Sequence, residues 1–306
     1  MTNGGTAMPE AAMARPDGAP AAAQAALDLA APRRRAWRRF VRQPAGLAAG
    51  LLLLLLYLAA FLGPLVYRVS PTATDPLAAI AGPSAEHWMG TDELGRDLLA
   101  RLLYGGRVTL SVGLVSMLVA MLVGTLVGAL AGYHRGWVEA VLMRLVDVFM
   151  AVPAFFLILA ELTVFGRSPT MVVIVVGLSF WMQVARIVHG EFVRYREREF
   201  VEAEHALGSP HWRIILFHIL PQALPSAVVL TTLGVAWSVM TETGLSYLGL
   251  GIQPPLASWG NMLQNAQTYL WTKPMLAVYP GVLIALTVLA FNTLGNALRD
   301  ILDPKL

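Results

Sequence analysis

Between Arg42 and Arg68 lies a run of 25 residues, Gln43–Tyr67, without one charged side chain. About 20 apolar residues are enough to cross the hydrocarbon core of a bilayer, so this run reads as a membrane-spanning helix. The apolar region of a cleaved signal peptide is only about 7–15 residues long, which makes the segment an uncleaved signal-anchor. Arg33, Arg34, Arg35, Arg38, Arg39 and Arg42 form its cationic flank. The string Arg38-Arg39-Phe40-Val41-Arg42 has the outline of a twin-arginine export signal, but the apolar run behind it is too long and five further runs follow. The second is Val108–Gly132, again free of charge, and the third covers about Val138–Phe165 with Arg144, Asp147 and Glu161 in or near it. The fourth is Thr170–Val188, the fifth starts near Pro221 and ends near Gly251, and the sixth is Pro274–Leu298. Only 13% of the residues are charged, against roughly 25% in a soluble domain. The expected fold class is therefore all-α, a polytopic integral membrane protein of six transmembrane helices.

The stretches between these runs set the organisation. Residues 1–32, rich in Ala, Pro and Gly, have too little to bury and are expected to be a disordered tail. The basic flank and first span occupy 33–69. A polar segment at 70–107 carries Pro71, Pro76 and Pro83 and does not span. The remaining five spans fill 108–299, including a charged loop at 189–220, and a tail covers 300–306. With the N-terminus inside, the N-terminal region, 133–144, 186–220 and the chain end from Arg299 hold 16 of the 22 basic residues. The positive-inside rule then places both termini and the charged loop in the cytoplasm. It leaves 70–107 outside as an elbow, with Thr91 or Asp92 capping a short interfacial helix and Arg96 and Asp97 holding it.

The charged loop contains Glu202-Ala203-Glu204, then Gly208-Ser209-Pro210. Phe200, Ala203, Leu207 and Trp212 can share one face of a helix broken near the glycine, and Pro210 suits the first turn of the next helix. The product is a short helix–turn–helix at a membrane surface. By pattern alone a solvated cytoplasmic loop with helical character is the better reading.

Other residues carry less specific signals. Ser116, Ala120, Gly124, Gly128 and Gly132 recur every four residues, a small-residue ridge that allows close helix packing in a bilayer. Arg144 and Asp147, three apart, are expected to form a structural ion pair, and Pro153 to kink the third span. Glu242 lies among Ser238, Thr241 and Ser246. Intramembrane acids are functional candidates, so these four side chains either line a translocation path or form a local interfacial cluster. The six histidines form no metal-binding spacing, and there are no cysteines; no metal site is expected. Ser246 has no following Gly and no later histidine to act as its base, which disfavours an intramembrane protease. The two lysines, Lys273 and Lys305, follow Thr272 and Pro304. A P-loop needs Gly-Lys, so no ATP hydrolysis by that route is expected in this chain. The basic residues have a topological explanation, and nucleic acid is not an expected partner.

The segment from Glu202 to Pro225 resembles the EAA loop of ABC importer permeases, with Glu204 where the family usually has Ala. Gly90-Thr91-Asp92-Glu93-Leu94-Gly95-Arg96-Asp97 and Leu103-Tyr104-Gly105-Gly106-Arg107 are similar to the GTDxLGRD…YGxR stretch of the dipeptide/oligopeptide/nickel permeases. So are Arg144-Leu145-Val146-Asp147 with Pro153, Glu242-Thr243-Gly244 through Gly251, Ser258-Trp259-Gly260-Asn261, and Phe291-Asn292 through Pro304. The resemblance runs from about residue 33 to the end and points to a C-type permease. It implies a heterodimer with a B-type permease, two ABC ATPase subunits that bind ATP and Mg²⁺, an extracytoplasmic substrate-binding protein, and peptide import across a bacterial inner membrane. Nickel and glutathione importers share the scaffold. The resemblance also implies that Glu202, Ala203, Glu204, Leu207 and Gly208 are the ATPase-coupling residues. A secondary transporter, the rival class, would need internal repeats and coupling-ion sites, and neither is visible.

Overall fold

The structure, a computed structural model, describes residues 43–302. The expected tail at 1–32, most of the basic flank and residues 303–306 lie outside the described residues. Helix α1 spans Pro44–Val66, with Pro44 in its first turn. It buries Gly46, Ala49, Leu53, Ala60 and Pro64 on one face. Pro64 lacks the N–H that would bond Ala60. Arg107 of the next helix supplies the missing donor, its Nε reaching Ala60 O at 2.8 Å and its Nη2 Phe61 O at 2.6 Å.

Helix α2 runs 37 residues, Leu98–His134, ten residues longer at its start than the apolar run. Its cap is Asp97, whose carboxylate accepts from Ala100 N at 2.7 Å, and not Thr91 or Asp92. Those two belong to the preceding turn. Asp92 pairs with Arg96 at 2.7 Å and with Arg101 at 3.1 Å, and Thr91 accepts from Ala81 N at 2.8 Å. Asp97 also receives Tyr67 Oη and faces His87 Nδ1, each at 2.8 Å. One carboxylate thus ties the end of α1, the polar segment and the start of α2.

The third apolar run is two helices, α3 (Gly136–Ala151) and α4 (Ala154–Phe165), bent by 91°. Pro153 forces the residue before it out of helical geometry, and Val152 is extended at φ −87°, ψ 127°. The kink expected from Pro153 in the span at 138–165 is thus a sharp break. Helices α5 (Pro169–Leu178) and α6 (Trp181–Arg196) form the next span with a slight interruption at Ser179-Phe180. Helix α6 continues eight residues into what the charge pattern marks as loop. Then come the short α7 (Glu199–Ala206), α8 (His211–Tyr247), the eight-residue α9 (Trp259–Ala266) and α10 (Met275–Leu302). Among the described residues five helices, the α5–α6 span counted as one, are long and apolar enough to cross a bilayer, and the bent α3–α4 pair makes six.

Helix α2 is the hub, packed on α1, α5, α6 and α8. It carries two stripes. Leu114, Leu118, Leu122, Leu126 and Leu130 are exposed. Ser116, Ala120, Gly124, Gly128 and Gly132, offset by two residues, are buried against α5 and α6. A Cβ on Gly124 would sit 2.6 Å from Trp181 O, and one on Gly132 would sit 2.6 Å from Phe192 Cβ. Ser116 Oγ closes the far end of the ridge with a 2.9 Å bond to Val173 O. The partner of the ridge is therefore this chain's own α5–α6 span.

Candidate functional site

Helix α7 is lightly packed on the rest of the chain. Val201 is its buried anchor, while Glu202, Ala203, Leu207 and Gly208 face outward. Phe200, Leu207, Trp212, Leu216 and Phe217 expose apolar surface around it, Leu207 at 80% of its area. The turn after α7 is built by hydrogen bonds: Gly208 N donates to His205 O and Ser209 N to Glu204 O, both at 3.0 Å. That is the paired bonding of a Schellman turn, and it requires the left-handed φ of +76° that Gly208 adopts. Nothing lies within 4 Å of a Cβ built on Gly208, so backbone conformation, not space, selects glycine there.

Glu204, the departure from the family pattern, has a local role. It accepts from the Ser209 hydroxyl and faces His218 Nε2 at 3.2 Å. The Ser209 hydrogen bond, aided by His218 and Arg213, holds its carboxyl below the usual range. The residue thus fastens the turn to the start of α8. There the chain is π-helical over Ile214–Ile219, with Leu220 N reaching Ile215 O five residues back. Pro221 gives a reason: it offers no N–H to Phe217 O and its ring crowds that carbonyl, so a wider turn accommodates both. Behind the turn, Tyr133 at the end of α2 meets His211 Nδ1 at 2.7 Å.

Glu242 sits elsewhere, wholly enclosed. Its carboxyl accepts from Thr109 Oγ1 at 3.0 Å and from Ser246 Oγ at 2.7 Å. Those hydroxyls in turn accept from Trp259 N at 3.2 Å and Ile252 N at 3.0 Å. One carboxyl therefore ties α2 and α8 to the turn that opens α9. That turn is seated closely. Trp259 Nε1 donates to Leu102 O at 3.0 Å, and Cβ atoms on Gly105 and Gly106 would come within 3.3 Å of Ser258 C and 3.0 Å of the Trp259 ring. Ser258 and Asn261 close a capping box on α9. Glu242, Ser238 and Ser246, expected either to line a translocation path or to form a local cluster, are all fully buried in this conformation; Thr241, half-buried on the neighbouring face, makes no hydrogen bond to the carboxyl. Sequence reasoning missed Thr109 and Trp259, which come from 133 residues before and 17 residues after the acid.

The expected Arg144–Asp147 pair is also corrected. Asp147 binds Arg186 of α6 at 2.5 Å, and no ion pair of Arg144 is present among the described residues. Spacing of three allows the two side chains to meet but does not oblige them to, and Arg186 approaches from the packed neighbour. Among the described residues no cluster of three His, Cys, Asp or Glu side chains fits a metal ion.

Residues 124–306 match the family model described as binding-protein-dependent transport system inner membrane component, and residues 31–83 match the N-terminal TM domain of oligopeptide transport permease C. The glutathione transport system permease protein GsiD of Pectobacterium atrosepticum is 41% identical over 276 residues, covering 90% of this chain and 92% of the relative. The dipeptide transport system permease protein DppC of Alkalihalophilus pseudofirmus is 35% identical over 275 residues, covering 90% of each. Among solved structures, the inward-facing MetNI methionine ABC transporter shares the fold, with a TM-score of 0.54 at 20% identity over 66% of this chain and 96% of that one.

Proposed function

The chain belongs to the family of binding-protein-dependent transport system inner membrane components, and on that footing we propose that it forms half of the pathway of an ATP-driven importer of short peptides. It is a multi-pass ABC importer permease. Its orientation follows from the basic residues, with both termini and α7 on the cytoplasmic side of a bacterial inner membrane. The observation that carries the reading is α7 itself. A short helix anchored by one buried valine, closed by a glycine turn and fringed with exposed Phe200, Leu207 and Trp212, is built to seat in another protein. The partner in this reading is a pair of ATPase subunits, which hold the ATP and Mg²⁺; a B-type permease forms the other half of the pathway and an extracytoplasmic binding protein delivers the cargo. Ala203 keeps the outer face of α7 small enough to enter a groove, and Glu202 gives it a charged rim.

The named relatives carry glutathione and dipeptides. Both are short peptides with a free amino group and carboxylates, so one pathway chemistry serves either. The experiment is uptake by the reconstituted complex, with its partner subunits, of labelled dipeptide, glutathione and Ni²⁺ in parallel. ATP-dependent accumulation of either peptide supports the reading, and accumulation of Ni²⁺ alone replaces it with the metal importer.

A further inference from the structure

Three polar bridges join α3 to the span that carries α7. Arg135, the residue between α2 and α3, meets Glu197 at 2.9 Å, just where α6 ends and α7 is about to begin. Glu139 meets His189 Nε2 at 2.7 Å, and Asp147 meets Arg186 at 2.5 Å. A fourth contact, the rings of Phe149 and Trp181 at 6.4 Å, extends the row to the outer end of α3. Apolar packing does little to fix this helix. Val146 is its one fully buried residue, while Val141, Leu145 and Val148 are exposed. Half-exposed ion pairs add little to stability. A row of them along one helix pair instead fixes which part of α3 travels with which part of α6.

We propose that this ladder binds α3 to the α6–α7 unit, so that a displacement of α7 is carried to the bend at Val152-Pro153 and swings α4. Arg186, Asp147, His189 and Glu139 are then positioning residues for transport. The inference rests on the reading of α7 as the element the ATPases drive. Helix α5 shares the displacement of α6 by covalent continuity; α4 is held to α5 along its length by the buried Ile158 and Leu162 against Val172 and Val175, and the ladder through α3 fixes its other end, at the bend.

The test uses the complete importer in lipid vesicles and reads peptide taken up per ATP hydrolysed. Asp147→Ala and Arg186→Ala should each lower that ratio by roughly 2- to 30-fold, the range for residues that carry coupling between sites. The exchange Asp147→Arg with Arg186→Asp should recover it. Because the chain has no cysteine, Asp147→Cys with Arg186→Cys provides a second arm, in which a bis-maleimide bridging the two thiols should restore the ratio. An unchanged ratio in the single variants, or no recovery by either the exchange or the bridge, overturns the proposal. Should the Asp147 variants fail to assemble, Glu139→Ala removes a neighbouring rung, and an unchanged ratio there overturns it equally. If instead the unaltered complex shows no ATP-dependent uptake, the reading of α7 fails and the ladder is not at issue.

Discussion

Single residues in this chain act mainly through what their backbone or volume allows. Gly208 holds φ +76°, a conformation that costs a residue with a Cβ roughly 1–2 kcal/mol. Gly208→Val is expected to leave insertion intact, because nothing surrounds the site, while loosening the turn and lowering uptake per ATP; equal uptake per ATP in variant and unaltered complexes would remove the turn from coupling. Gly128 is constrained differently. A Cβ there would lie 2.4 Å from Ala185 O, a backbone atom that cannot swing aside. Gly128→Leu should therefore cost at least the roughly 3 kcal/mol at the upper end of overpacking and lower the yield of the folded single chain, measured by detergent-stable monomer, before any question of assembly. Glu242 gives a third outcome. Replacing it with Leu leaves two buried hydroxyls without their acceptor, at about 1–3 kcal/mol each, whereas Gln keeps an acceptor. The folded yield of Glu242→Leu should fall well below that of Glu242→Gln. A Glu242→Cys thiol should resist a water-soluble maleimide, and rapid labelling would show that the enclosure opens. At Glu204, whose carboxyl is held below its ordinary range, the stabilising contribution is present above that range and fades as pH falls through the depressed value.

At the scale of elements, α8 offers a direct test of why its first turns are π-helical. Pro221→Ala restores an N–H opposite Phe217 O. The stretch Ile214–Ile219 should then tighten toward α-helix and rotate the turn at Gly208 relative to the membrane part of α8. Cross-linking yield between a thiol at Ser209 and the ATPase should fall; an unchanged yield would assign the π stretch to some cause other than the proline. The same proline logic explains what was legible in the sequence. Pro153 and the Gly208-Ser209-Pro210 string are local signals, so the break after α3 and the turn after α7 were visible before any coordinates. The length of α2 was not, because its first ten residues include Arg101, buried against Asp92, and Arg107, half-buried and bonded to the α1 carbonyls of Ala60 and Phe61. The ridge at Gly124, Gly128 and Gly132 was legible as a packing surface but not as to its partner, since period four says that something approaches closely and not what. Asp147 and Glu242 stand out in the sequence as charges within apolar runs, but only the Ser246 bond of Glu242 is local; the bonds to Arg186 and Thr109 run across separations that no local pattern encodes.

Across the whole molecule the two ends differ in character. One end holds the Asp92–Arg96–Arg101 cluster, the Asp97 joint and the loop before α10; the other holds α7 and the Tyr133–His211 contact. Reporter fusions at Gly82 and Pro255 should report one side of the membrane and a fusion at Ser209 the opposite side; a shared side for all three would dismantle the arrangement. Between those ends runs the contact of α2 with α5 and α6, from Ser116 to Gly132, about 24 Å at 1.5 Å per residue. Most helix pairs meet through side chains, which change rotamer and so behave as springs. Here Gly124 and Gly128 bring backbone against backbone, and backbone has no rotamers. A joint without springs leaves the two helices no slack along its length, and wear, in the form of any methyl group added at Gly124 or Gly128, jams it.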